Sequence, residues 1–463
     1  MRKYNHINKN LTLSLLSVIL GMSICYLFRQ VRMFSYISLL LFVGFGYLIY
    51  RVRPYFYIKY LAFVFNAVAG IVGVCAIEFS NIYLVELRTD SAFIGSIPLF
   101  VLSYSLFLVI LLVADDSHRK TERKVIERTK VSEKSYPRYM KYMTYVTLLI
   151  YLFFWVRVIR YPAFLLNVNR FVYARLYAPQ LTGIWSVLSS MLSVLLIFPL
   201  VSMMYGDKVI GISTVAIYCL YCLWIGNKFG SFFTLICLFL IILYSNIESI
   251  RTLRVRKYAR IGIVALIAIV AFSFMIQSTL GDNANNFFAY RVSGQGQLWW
   301  GINKYYSGET HVNEIDDEIN GLFHGSESVA ENVGANYGIY KVMYLCAPKS
   351  VIDSKLSGGS RYAESGFAAA YYYLGSLGCF LHAVVMGLII SWTLNDLIKS
   401  VKNERYFRAM LLIRLYASAQ TAFSMFLFHN YVDIVSLISY FILFATYRKG
   451  FVFHLWKKEK IKM

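Results

Sequence analysis

Four arginines, Arg157, Arg160, Arg170 and Arg175, fall in one stretch, 157–182, with no Asp or Glu among them. A guanidinium offers a planar fork of donors and keeps its charge when partly buried, which suits phosphate or diphosphate oxygens. The plain alternative is that each arginine snorkels to lipid headgroups. Lys228 sits in the turn Gly226-Asn-Lys-Phe-Gly230, where flanking glycines let the backbone approach a ligand, or simply close a hairpin. Arg291 and Arg361 lie near the two ends of a long polar segment, 280–365. That segment holds His311, His324, Glu327, Glu364 and the acidic run Glu314–Glu318. Carboxylates and imidazoles are the groups a general base needs. His324 and Glu327 stand three apart and share one face if helical. With Glu364, they are the candidate catalytic residues. The run Glu314–Glu318 is expected to be a solvated face, as charge runs mostly are. His429, Asn430 and Asp433 either line the same mouth or hydrogen-bond one another, and Arg414 is expected to snorkel from the start of its span.

The elements that must position these groups are apolar. The 463 residues are 58% hydrophobic and 15% charged, and apolar runs recur from end to end. A bilayer span takes about 20 such residues. Runs of this kind lie near 11–28, 34–50, 60–79, 93–114, 142–159, 183–204, 209–225, 231–247, 261–279, 366–394, 409–428 and 432–447. The chain is therefore expected to be an all-α integral membrane protein of about twelve spans. The first run follows Arg2 and Lys3 without a small-residue cleavage site, so it is read as an uncleaved span. The expected organisation is a bundle over 1–279, one large external loop over 280–365, and a second part of the bundle over 366–463. Tyr and Trp near the run ends, such as Tyr50, Trp155 and Trp224, suit headgroup level.

Charge gives direction. The net charge is +22, and the basic residues gather in 115–141, 248–260, 395–408 and the tail after Tyr447. With twelve spans all of these fall on the side of Arg2, Lys3 and Lys9, which the positive-inside rule makes the cytoplasm. This distribution argues for the membrane and against nucleic acid as the partner. No GxxxxGK[ST] or GxGxxG is present, and no loop on the basic side is long enough for a soluble catalytic domain. The seven cysteines lie mostly in apolar runs, and the Cys219-Cys222 pair reads as helix packing. The acids form no recognisable metal-ligand motif, and no cofactor is expected.

About a dozen spans, cytoplasmic termini and two external loops resemble the Wzy-type polymerases of O-antigen and capsule repeat units. Three stretches add to the likeness: Arg291-Val-Ser-Gly-Gln-Gly-Gln-Leu-Trp-Trp300, Gly226-Asn-Lys-Phe-Gly230, and Ser360-Arg-Tyr-Ala-Glu-Ser-Gly followed by Tyr371-Tyr-Tyr-Leu-Gly-Ser-Leu-Gly378. The resemblance implies a GT-C-like membrane glycosyltransferase of the bacterial cytoplasmic membrane. It would act on undecaprenyl-diphosphate-linked oligosaccharides, with a chain-length regulator as a candidate partner. In that scheme Arg157, Arg160, Arg170, Arg175, Lys228, Arg291 and Arg361 would hold the lipid diphosphate. A flippase would share the spans but usually shows two related halves and short loops. A glycan ligase would share the arginines and the base.

Overall fold

Runs of Leu, Ile, Val and Phe long enough to satisfy every backbone group internally form helices, and the computed structural model is helical nearly throughout. It describes residues 9–126, 138–163, 173, 191–226, 230–245, 290–326, 328–363 and 366–449. The expected span 261–279, and Arg170, Arg175, Lys228, Glu327 and Glu364, lie outside the described residues. The helices are α1 (Lys9–Leu27), α2 (Arg32–Val52), α3 (Phe56–Lys59), α4 (Leu61–Phe79), α5 (Ile97–Ile126) and α6 (Arg138–Val158). They continue with α7 (Ile197–Tyr205), α8 (Lys208–Trp224) and α9 (Gly230–Ser245). The long polar segment holds α10 (Gln297–Tyr305), α11 (Ile315–His324), α12 (Gly338–Cys346) and α13 (Lys349–Ser357). The chain ends with α14 (Gly366–Lys402), α15 (Tyr406–Met425), α16 (His429–Val432) and α17 (Ile434–Lys449). Among the described residues, α2, α4, α5, α6 and α14 are long and apolar enough to cross a membrane, and five shorter apolar helices accompany them. The protein is an all-α membrane protein.

Side-chain contacts define two ends of the bundle. At one, buried Lys59 bonds Asp115 at 2.6 Å and Asn395 at 2.5 Å. Buried Arg53 reaches both Asp115 and Asp116. This latch fastens the α2–α3 junction to α5 and α14. At the other end sits the long polar segment. Its Trp299 and Trp300 donate to the carbonyls of Ser96 and Ala92, at 3.2 and 2.9 Å. Buried Glu86 gathers Tyr290, Gln297 and Lys355. Gly296 and Gly73 bring the start of α10 against α4, where a Cβ on either would collide with the other's backbone. The expected loop is thus a folded cap, fixed to the helix ends by hydrogen bonds. A two-stranded antiparallel hairpin, Tyr83–Leu84 with Thr89–Asp90, belongs to the same end.

Helix α14 is broken at Gly375, whose φ of 59° and ψ of −145° suit glycine alone. Before the break, Gly366 to Tyr373 are buried throughout. After it, Leu377, Leu381, Val385, Leu388 and Trp392 form an exposed stripe at helical spacing. The tyrosine–glycine run 371–378 therefore marks where a buried entry segment gives way to a lipid-facing helix. A Cβ at Gly378 would strike the Ala370 carbonyl, so both glycines of the run are required by close approach or conformation.

Candidate functional site

The cap and the last helices meet at two adjoining clusters. The first is acidic. Glu314, Asp317 and Glu318 are spaced i, i+3, i+4 and lie on one face. That face is turned into the protein, against α12 and the buried entry of α14. Lys341 pairs with Glu314 at 2.5 Å and Asp317 at 2.6 Å. Tyr372 donates to Glu314 at 2.9 Å, and its ring stacks on His311 at 4.2 Å. Glu318 accepts from the Gly338 N–H at 2.6 Å and from Tyr373 at 2.7 Å. The expectation of a solvated face for Glu314–Glu318 is corrected in part: Glu314, Asp317 and Glu318 are half-buried, while Ile315 and Asp316 face outward.

Environment separates these carboxyls. Burial pushes Glu318 up to about 7, against the pull of its two hydrogen bonds. The Lys341 hydrogen bond holds Glu314 below its ordinary value. Burial alone would lower Lys341, but its bonds to Asp317 and Glu314 outweigh it and raise the amine. Two carboxyls a single turn apart thus carry different protonation tendencies, which is how acid and base roles are divided.

The second cluster is basic and lies on the far side of Gly338. Helix α15 ends at Phe426 in the left-handed region, φ 56°, and the chain turns back along it. This return places Asp433 against Arg414, about 16 Å before the helix end at 1.5 Å per residue. Arg414 is therefore ion-paired within the bundle, which corrects the expectation that it snorkels. Asp433 also accepts from the Ser436 N–H at 2.6 Å, capping α17. His429 is 7% exposed and sits beside Gly325 and under the influence of Arg361. Burial first, then the Arg361 charge, lowers its basicity; Asp433 opposes them. Arg361 donates to Tyr340 at 3.2 Å. Tyr340 belongs to a hydrogen-bonded group with Asn332, Tyr337 and the backbone of Ser326 and Ser328.

Unsatisfied polar atoms concentrate here. Both ring nitrogens of His429, Arg414 Nε, Asn430 Oδ1 and Tyr431 Oη are buried with no hydrogen-bond partner among the described residues. Buried polar groups are paired in the great majority of cases, so a run of orphans on one short segment is a feature in itself.

The other sequence candidates are placed as follows. Of the arginines, Arg361 is in this cluster. Arg291 is exposed at the start of the cap. Arg157 and Arg160 lie at the end of α6 over the rings of Phe153 and Tyr161, at 4.5 and 5.3 Å. Helix α6 packs on α7 and α8, and no described contact brings those arginines to Arg361. His324 is exposed at the end of α11, its Nδ1 3.2 Å from the Asn320 carbonyl of its own helix. It is next to Gly325 and hence at the rim of the His429 cluster. Glu318, Lys341 and Tyr372 carry no motif that marks them in sequence; of His429 and Asp433, expected either to line the mouth or to bond one another, Asp433 pairs with Arg414.

A family model, described as a family of unknown function, DUF6418, matches residues 332–444. That stretch contains Lys341, Arg361, Arg414, His429 and Asp433, and the break at Gly375, while the acids of α11 precede it. No curated protein and no solved structure matches the chain.

Proposed function

We propose that this protein is a membrane glycosyltransferase that joins lipid-diphosphate-linked oligosaccharide repeat units into a surface polysaccharide, O-antigen or capsule. In this reading the cap faces outward from the bacterial cytoplasmic membrane and the charged latch lies on the cytoplasmic side, within a GT-C-like bundle of twelve spans. The observation that carries the reading is the group of Arg361 and His429, of lowered basicity, where the cap meets the bundle, with the Arg414–Asp433 pair and orphaned polar atoms beneath it. A lipid-linked diphosphate enters such a place with its tails between helices and its headgroup at the cap.

The chemistry follows from the groups. The hydroxyl of one repeat unit attacks the anomeric carbon of another. The new carbon–oxygen bond forms as the bond from that carbon to the diphosphate breaks. The hydroxyl proton passes to His429, whose neutral form burial and Arg361 favour and which can therefore accept it. The leaving diphosphate carries away the electron pair, and Arg361 stabilises its charge. Arg414, held by Asp433, fixes the segment that carries His429. Glu314, Asp317 and the stacked His311–Tyr372 pair offer acceptors and ring faces to sugar hydroxyls and edges.

The test is a strain lacking the chain, complemented with the wild type or with Arg361→Ala, and examined for surface glycan length. Single repeat units on the surface of the deletion and the variant support the proposal. Repeat units retained inside the cell point to a flippase. Long polymer that accumulates without transfer to its acceptor points to a ligase.

A further inference from the structure

Helix α11 has two opposed faces, and the outward one has no partner among the described residues. The inward face carries Glu314, Asp317 and Glu318. The outward face carries Val312, Ile315, Ile319 and Phe323, the last two 53% and 69% exposed. This is the reverse of a helix lying on a water-soluble core, where the apolar face turns in.

The position of α11 says what covers that face. Its start is tied to the break in α14: the His311 N–H donates to the Tyr373 carbonyl at 3.1 Å, and Thr310 lies against Gly375. The exposed stripe of α14 begins two residues later at Leu377, 58% exposed. The end of α11 is tied to the other side: Gly325 abuts His429, and α16 leads directly into α17. The exposed stripe of α17 begins there with Ile434, 74% exposed, and runs through Ile438 and Phe441. Ten residues of helix span about 15 Å between these points. The two ends of α11 thus lie beside the points where the exposed apolar stripes of α14 and α17 begin.

We infer that α11 is an interfacial helix, seated in the lipid leaflet at the cap end with Val312, Ile315, Ile319 and Phe323 in the headgroup–acyl boundary. Such helices sink roughly 5–10 Å into that layer. Their polar face usually turns to water and is basic; here it turns into the protein, where Lys341 offsets the acids. The bilayer therefore holds the helix that presents the acidic cluster. This inference concerns the membrane alone and stands independently of the reaction proposed above.

Nitroxide labels at Ile319→Cys, Phe323→Cys and Asn320→Cys in the full chain, in lipid vesicles, test it, with the labelled wild type giving the background of its own cysteines. Collision with oxygen, which concentrates in lipid, should exceed collision with a water-soluble nickel chelate at 319 and 323. The order should reverse at 320, on the exposed polar flank. Nickel exceeding oxygen at 319 and 323 overturns the inference, because the face would then look into water. Protection from both reagents also overturns it, because the cover would be protein.

Discussion

The two charged centres of the bundle differ in how completely their charges are answered. At the latch, Arg53 and Lys59 face Asp115 and Asp116, two cations for two anions among the described residues, all buried, although Arg53 Nε and Nη1 lack hydrogen-bond partners there. Toward the cap, Asp433 pairs with Arg414 alone, Arg361 lies close enough to His429 to lower its basicity, and several neighbouring polar atoms have no partner among the described residues. A cluster balanced in charge fixes helices. One with more cations than anions is suited to receive an anion. The contrast explains why one centre is read as architecture and the other as a site, although both are built from the same residue types.

The largest expected effect comes from breaking the latch. Asp115→Ala strands Lys59 and part of Arg53's charge, and loss of one partner from a buried pair costs about 3–5 kcal/mol. Thermal unfolding of the purified protein should show a steep fall in midpoint, and expression should drop. If the variant is as stable as the wild type, the latch is not a structural unit. The second effect is the mirror image. His429→Ala should leave the unfolding midpoint within a few degrees of the wild type and lower turnover about 10²–10⁴-fold, the usual contribution of a positioned base. Equal losses of stability and turnover would make His429 another structural residue and erase the contrast.

A smaller effect separates the two clusters of the cap. Lys341→Met leaves Glu314 and Asp317 facing each other without their cation. The expected loss is about 1–3 kcal/mol, from hydrogen bonds to charged groups. It should shrink at acidic pH as the carboxyls take up protons. A loss independent of pH would mean that packing of the long side chain matters instead. The smallest is the pH signature of Glu318. Its folded value, about 7, is above the ordinary 4.5, so the native state binds the proton more tightly. Stability from this group is full below pH 4.5, falls as pH rises and is lost above about 7. Glu318→Gln keeps acceptors for Gly338 and Tyr373, so it should raise the unfolding midpoint at pH 8 and change little at pH 4.5. The reverse ranking would place Glu318 in a polar, charge-stabilising setting.

The spans were readable because a membrane helix needs only a continuous apolar run, and α2, α4, α5, α6 and α14 lie where such runs occur. The break at Gly375 was visible as a tyrosine–glycine run without its meaning. The inward acids were hidden for a physical reason. In water, Ile315, Ile319 and Phe323 would mark the buried face of α11, and the carboxyls between them would be solvated. Beside a bilayer both faces have somewhere to go, and spacing alone does not say which goes inward. Arg414 was misplaced because its partner, Asp433, arrives only when the chain turns back after Phe426. Arg361 and His429 were each visible, but 68 residues separate them in sequence.

The most direct measurement is turnover by the purified protein in vesicles supplied with undecaprenyl-diphosphate-linked repeat units. The account predicts that the wild type releases undecaprenyl diphosphate as the glycan lengthens. Arg361→Ala and His429→Ala, folded and inserted, should release almost none. Undiminished release by both variants would contradict the assignment of the cap cluster. A wild type that moves the lipid across the bilayer without breaking its phosphate–sugar bond would contradict the proposed reaction itself.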